Sequence, residues 1–234
     1  ARPGMRSAWR CIFCMGSDGR APQNKELELT ALLSIMLAAT LVPAMPAKSP
    51  GYWLSDDDYP SGALKRKEEG PVAFSLLISP TGRIANCMIT QTSGSADLDE
   101  RTCAMIASRG RFKAARDENA AATYGSYRGM LYWRLPGKLG GPSYRYVPPV
   151  DMTLQVKRLP GGAQEERVTL TAKFDQTGHV TACQAFNPDQ SSAKLVEVAC
   201  QQTQQFFSSV TADADGRPVP IVQQLTVKFQ VAAP

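Results

Sequence analysis

The chain has 234 residues, which is long for one ordinary domain and sufficient for two domains of about 80 to 100 residues each. Apolar residues make up 43% of the chain and aromatic residues 8%, so a mostly disordered protein is excluded. The formal net charge of +5 is small and no basic cluster accompanies it. The composition therefore argues against nucleic-acid binding.

Residues 1–47 differ in character from the rest of the chain. The apolar run from Leu29 to Met45 is longer than a typical secretory signal core of about 7 to 15 residues and shorter than a membrane span of about 20. Small residues at Val42-Pro43-Ala44 and Met45-Pro46-Ala47 offer cleavage sites. We expect an export signal here, with an uncleaved inner-membrane anchor as the alternative and with upstream sequence of doubtful coding origin before it.

An internal repeat is the strongest pattern in the sequence. Gly82-Arg83-Ile84-Ala85-Asn86-Cys87 recurs as Gly178-His179-Val180-Thr181-Ala182-Cys183. Each glycine follows an alternating apolar run, over residues 72–78 in the first copy and 168–174 in the second. Such alternation predicts a strand with one buried face, and the turn residues before each glycine predict a β-hairpin.

A helix and a closing strand are predicted after each hairpin. Asp97 and Glu100, three positions apart, have the pattern of a capping box at the start of the first helix. In the second copy, Ser192 is the predicted cap residue. Alternating residues over 127–135 and 225–231 then predict the closing strands. The expected fold class is α+β, with the order β-β-α-β repeated in two tandem units, each an antiparallel sheet with one helix packed on it.

The predicted boundaries follow the composition. Residues 48–69 are expected to form a linker with a short helix, and residues 70–136 form the first unit. The Gly/Pro-rich segment 137–149 reads as a linker. Residues 150–234 form the second unit, which begins with an extra alternating strand at 150–156.

The four cysteines of the repeat predict structural disulfides. Cys87 and Cys103 have nearly the same spacing as Cys183 and Cys200, and in each pair the first lies on a strand and the second on the following helix. Four cysteines allow three connectivities, and the repeat favours pairing within each copy. A loop of this length closed by a disulfide is worth about 3 kcal/mol in the chain-entropy model, which matters for small units.

Residues 58–135 resemble the C-terminal domain of the TonB energy-transducer family. The elements that carry the likeness, in the family's order and spacing, are Tyr59-Pro60, Gly70, Pro80-Thr81-Gly82-Arg83, Thr92-Ser93-Gly94, Leu98-Asp99 and Arg111-Phe112-Lys113-Ala114. The second copy, over 151–231, is a weaker match. It keeps the Gly178 turn and Asp215-Gly216-Arg217-Pro218-Val219, but lacks the Tyr-Pro and Ser-Gly elements.

The resemblance implies a periplasmic protein that binds an extended segment of an outer-membrane TonB-dependent receptor, or of another envelope protein, by adding it as a strand to a sheet edge. An inner-membrane proton-driven motor would power the family's transport. The outward positions of the last strands, implied as partner-binding, are Arg128, Met130 and Tyr132 in the first copy and Gln224, Thr226 and Lys228 in the second. An ordinary solvated face is the alternative for each of them.

Two departures from the family pattern argue against coupling to the motor. The apolar run contains no histidine, and the segment between Ala47 and the first strand reaches only about 80 Å when fully extended. Partner binding is therefore expected more firmly than energised transport. A structural or stress-related envelope protein with the same fold is the alternative function, and a homodimer through the last strands also stays open.

No catalytic, metal or cofactor site is predicted, so we do not expect an enzyme. The only histidine, His179, lies beside a turn glycine, and the repeat cysteines are assigned to disulfides. Cys11 and Cys14 form a single pair with no second pair to complete a metal site. The run Asp56-Asp57-Asp58 lacks the spacing of a calcium loop and is expected to be solvated.

Overall fold

The computed structural model describes residues 40–138 and 146–232. All of these residues lie within one compact unit, Ala39–Pro234. Within them, no helix is both long and apolar enough to cross a membrane. The strands are β1 (Met45–Pro46), β2 (Gly70–Ile78), β3 (Ile84–Gln91), β4 (Phe112–Lys113), β5 (Ala115–Arg116), β6 (Ala122–Trp133), β7 (Met152–Val156), β8 (Glu165–Phe174), β9 (Val180–Ala185) and β10 (Ile221–Val231), and the helices are α1 (Ser61–Arg66), α2 (Ala96–Arg109) and α3 (Ala193–Phe206).

The strands of both halves form one eight-stranded sheet in the order β3-β2-β6-β10-β8-β9, with β5 beside β6 and β7 beside β10. The halves meet where β6 and β10 pair in parallel, through Tyr124 with Ile221 and Gly125 with Val222. β7 also runs parallel to β10, whereas β2, β3, β6, β8 and β9 pair with their neighbours within each half in antiparallel fashion. β1 and β4 form a separate two-stranded pairing.

The two longer helices cover opposite faces of this sheet. Phe74, Leu76 and Ile78 of β2 pack in one core with Ile106 of α2. Leu77 of the same strand packs in another core that includes helix α3. Because successive side chains of a strand point to opposite faces, α2 and α3 must lie on opposite sides. In each half, the strands therefore bury one face against the helix of the same half.

The hairpin turns of the two halves repeat in atomic detail. Gly82 and Gly178 have φ values of +75° and +86°, which glycine adopts without strain. The carbonyl of Gly82 accepts from the backbone N–H of Phe112 at 3.0 Å, and that of Gly178 accepts from Ser209 at 3.0 Å. In each half the backbone of the turn is thus hydrogen-bonded to the segment that follows the helix.

Both disulfides join a strand to the following helix within one half. Cys87 of β3 is bonded to Cys103 of α2, and Cys183 of β9 is bonded to Cys200 of α3. This is the connectivity that the repeat favours.

Residues 40–47 are packed into the fold rather than continuing the predicted export segment. Leu41 and Ala44 are 4% and 2% exposed and belong to the core under α2. The Gln184 side chain of β9 both donates to and accepts from the backbone of Leu41, at 2.9 Å each. Cleavage at Val42–Ala44 or Met45–Ala47 would remove this segment. The rest of the export prediction, with Cys11 and Cys14, lies outside the described residues.

Other sequence expectations are corrected or refined. The cap of α2 is Ser95, whose hydroxyl accepts from the backbone of Leu98, while Asp97 lies in the first turn and pairs with Arg66. Ser192 does hold the cap position of α3, but its side chain makes no cap hydrogen bond.

The two halves share one sheet, and two of the cores contain residues of both halves, so the halves are not separate bodies. Asp58 is buried, not solvated.

Candidate strand-docking edge

Among the described residues, β6 pairs with β2 along one edge and with β10 at the start of the other. β2 pairs with it from Gly125 to Trp133. On the opposite edge, β10 pairs with Tyr124 and Gly125 alone. Across residues 40–138 and 146–232, no strand continues that edge from Ser126 to Trp133. The last strand of the first half therefore presents backbone donors and acceptors that an added strand could use.

An ion pair blocks the edge of β6 at Arg128. Arg128 of β6 donates through Nη1 and Nη2 to both carboxylate oxygens of Asp151, at 2.8 and 2.9 Å. Nη2 also donates to the backbone carbonyl of Gln224 at 2.9 Å. Asp151 in turn accepts from the backbone N–H of Thr226 at 2.7 Å. The two charges thus bridge β6 and β10 where the strands separate, and the unobstructed edge begins near Met130.

A cleft of about 310 Å³ lies beside the C-terminal end of β6. Its lining residues are Leu54, Ser55, Asp56, Tyr59, Leu131, Tyr132, Trp133 and Arg134. One wall is therefore the segment 54–59 and the other is the end of β6. The Arg134 guanidinium stands 5.5 Å from the centre of the Tyr132 ring, a cation–π distance.

Asp58 fixes the wall formed by segment 54–59. Its side chain, 4% exposed, accepts from Arg109 at 2.5 and 2.9 Å, and Arg101 of the same helix reaches it at 3.3 Å. Ser55 adds backbone and hydroxyl hydrogen bonds at 2.8 and 2.9 Å. Burial alone would raise the pKa of Asp58, but the hydrogen bonds from Arg109 and Ser55 outweigh it and lower the pKa to about 2. The wall is thereby clamped to α2.

Aromatic packing fixes the base of the cleft. The Trp133 indole N–H donates to the Thr102 hydroxyl at 2.8 Å, and the ring meets Tyr59 edge-on at 5.3 Å. The Tyr59 hydroxyl donates to the carbonyl of Glu68. These contacts hold the end of β6 against α2, so the edge is presented on a rigid support.

The profile of the family described as Gram-negative bacterial TonB protein C-terminal matches residues 56–135. Over residues 56–135 the chain is therefore similar to the TonB C-terminal domain. No curated protein shows significant similarity to the chain. The matched range starts within the wall of the cleft and ends just after β6, so it includes all of β6 and most of the residues that line the cleft.

The predicted partner-binding residues of the TonB C-terminal domain differ in their surroundings. Arg128 is engaged with Asp151 and is only 20% exposed, so it does not project freely. Met130 is half-buried on the same strand face. Tyr132 lines the cleft. Of the three predicted positions in the first copy, Met130 and Tyr132 thus lie beyond the point at which Arg128 is engaged with Asp151.

The corresponding positions of the second half are not on an edge strand. β8 pairs with β10 from Ile221 to Gln230, while β6 and β7 pair along its other side. Thr226 is 5% exposed, and Lys228 lies 4.0 Å from Glu165. The expectation that Gln224, Thr226 and Lys228 line an open edge is wrong, because the extra strand β7 and the end of β6 occupy that side.

Two residues that shape the site carried no recognisable signal in the sequence. Asp151 was one polar position in an alternating strand, and nothing local distinguishes it from Thr153 or Gln155. Asp58 was the last of three aspartates, and only the preceding Ser55 hints at the capping box that turns it inward.

Proposed function

We propose that the chain is a periplasmic binding protein of the cell envelope rather than an enzyme. Its TonB C-terminal domain takes up an extended segment of an outer-membrane receptor, or of another envelope protein, as an added strand on β6. The observation that carries the proposal is the side of β6 opposite β2, where β10 pairs with Tyr124 and Gly125 and no other strand of the described residues follows, next to a preformed cleft.

The geometry limits the guest segment. The ion pair Arg128–Asp151 blocks the lower edge, which leaves about four residues, or roughly 13 Å of strand. Backbone hydrogen bonds to β6 would supply affinity, and side chains on the cleft side would contact Leu131 and Trp133 for selectivity. A short, extended and partly apolar segment fits these dimensions.

We further propose that residues 150–234 are a diverged second copy that no longer binds a partner in this way. The matched turns, disulfides and helix positions support common descent with the first copy. Its last strand, β10, is buried in the shared sheet instead of forming an edge. Of the last strands of the two copies, β6 is therefore the one that the proposal assigns to partner binding.

A structural or stress-related envelope protein without motor coupling is the second candidate. The observation that favours it is the occupation of the first part of the β6 edge by β10, which shortens the strand available to a receptor. Both candidates require partner binding at β6, and they differ in whether the partner is an outer-membrane receptor engaged together with inner-membrane motor subunits.

Site-specific photo-crosslinking in a Gram-negative host tests the proposal. A photoreactive phenylalanine derivative at Tyr132, in the full-length chain, should crosslink an envelope protein, and an extended peptide from that protein should compete. The matched control is Lys228, which has the analogous position on the interior strand β10. Equal crosslinking at both positions, or none at Tyr132, would rule out docking at this edge.

Mass spectrometry of the Tyr132 product distinguishes the two candidates. An outer-membrane receptor in the crosslink, together with recovery of motor subunits with the uncrosslinked chain, supports the transducer-like function. A periplasmic partner with no motor subunit supports the structural function.

A further inference from the structure

A second pocket lies in the half of the chain that the family profile does not cover. It is an open pocket between the connection from β7 to β8 and the first turns of α3, with a volume of about 710 Å³. Its apolar lining consists of Val156, Leu159, Pro160, Leu195, Val198 and Phe229. Phe229, Leu159 and Leu195 are 0%, 5% and 9% exposed, so the floor of the pocket is continuous with the hydrophobic core.

The charged residues of this pocket are all of one sign. Arg158 and Lys194 line it, Ser192 adds a hydroxyl, and none of its lining residues is acidic. Within residues 40–138 and 146–232, neither cation takes part in an ion pair, whereas Arg167, Lys173, Arg217 and Lys228 of the same half each have an acidic partner. A positive charge that lacks a counter-charge beside an apolar cavity favours an anionic ligand.

We propose that this pocket binds a single-chain amphiphile with an acyl chain and an anionic head group. The acyl chain lies on Phe229, Leu195 and Val198, and the head group pairs with Arg158 and Lys194. The volume is within the range of small-molecule sites, roughly 300 to 1,000 Å³.

The lining discriminates between the chemical classes of ligand. A small hydrophilic anion would gain nothing from the apolar floor, and an uncharged lipid would leave both cations unused. An amphiphilic anion uses both parts of the site at once. The pocket lies on the α3 side of the sheet and includes no residue of the β6 cleft, so this inference does not rest on the strand-docking function.

Calorimetric titration of the full chain with dodecanoate, below its micelle concentration, tests the proposal. We expect saturable binding with one molecule per chain. The neutral glycerol monoester with the same chain should bind at least tenfold more weakly. Absence of saturable binding, or equal affinity for the acid and the neutral ester, would overturn the assignment.

Substitutions locate the bound molecule. The double variant Arg158→Gln/Lys194→Gln should weaken dodecanoate binding about tenfold and leave the affinity for the neutral ester unchanged. Lys157→Gln is the matched control, because Lys157 is an exposed neighbouring cation outside the pocket, and it should bind as the parent does. Both variants alter exposed side chains, so their urea-unfolding midpoints should equal that of the parent. Unchanged affinity in the double variant would place the ligand elsewhere and sink the proposal.

Discussion

The guanidinium of Arg128 and the carboxylate of Asp151 form a two-pronged ion pair that joins the two halves of the sheet. Arg128 lies on the last strand of the first half, and Asp151 immediately precedes the first strand of the second. Both side chains are mostly buried, at 20% and 17% exposure. The pair therefore decides how far β6 and β10 separate and where the open edge of β6 begins.

The first prediction concerns this pair. Arg128→Gln should lower the free energy of unfolding by about 1 to 3 kcal/mol, because it leaves a mostly buried carboxylate with fewer donors. A double-mutant cycle with Asp151→Asn, measured by urea unfolding, should give a coupling energy near 1 kcal/mol or more. The exposed pair Arg217–Asp215 is the control, with side chains 71% and 69% exposed, and its coupling should stay below about 0.5 kcal/mol. Equal couplings would contradict a structural role for Arg128.

Local patterns in the sequence predicted the parts of the fold that depend on neighbouring residues. The alternation in β2 and β8, the glycine turns at Gly82 and Gly178, and the two disulfides all follow from short-range spacing. Period-2 alternation places side chains on one face of a strand, and a repeated cysteine spacing limits the plausible pairings.

The long-range arrangement was not predictable in the same way. The parallel pairing of Tyr124 with Ile221 joins residues that no local pattern relates. Alternation placed Arg128 on the strand face opposite Tyr127, but it could not predict the ion pair with Asp151. The same alternation holds for an edge strand and an interior strand with one polar face, so Lys228 could not be distinguished from Tyr132.

The second prediction concerns acid stability and Asp58. The folded pKa of about 2 is below the ordinary value of 3.8, so this carboxylate stabilises the fold above pH 4 and its contribution is lost as the pH falls towards 2. The contribution amounts to roughly 2 kcal/mol. Asp58→Asn should therefore destabilise the protein at pH 7, and the difference from the parent should shrink between pH 4 and pH 2.

Urea unfolding at pH 7, 5 and 3 measures this effect. Asp57→Asn is the matched control, since Asp57 is an exposed neighbour, and it should change the free energy of unfolding by less than about 0.5 kcal/mol. A constant difference between Asp58→Asn and the parent across this pH range would show that charge is not the source of the stabilisation.

The third prediction concerns the disulfides. Replacing Cys87 and Cys103 together by alanine should cost about 2 to 4 kcal/mol, and replacing Cys183 and Cys200 should cost a similar amount, because each bond closes a loop of nearly the same length. Thermal unfolding of both double variants provides the measurement. Because the halves share one sheet, we expect a single cooperative transition in each variant. Separate transitions for the two halves would argue against the shared core.

The fourth prediction separates backbone strain from steric conflict at the repeated turn. A Cβ atom at Gly82 would lie 2.2 Å from the carbonyl oxygen of Phe112, whereas one at Gly216 would meet nothing within 4 Å, although both residues have positive φ. Gly216→Ala should cost about 1 kcal/mol, from the left-handed conformation alone. Gly82→Ala must also displace the Phe112 backbone, so it should cost at least about 2 kcal/mol more in urea unfolding.

Gly178→Ala should behave like Gly82→Ala, because its Cβ would lie 2.8 Å from the Ser209 backbone. Equal losses at Gly82 and Gly216 would show that the turn does not depend on close approach to the segment after α2.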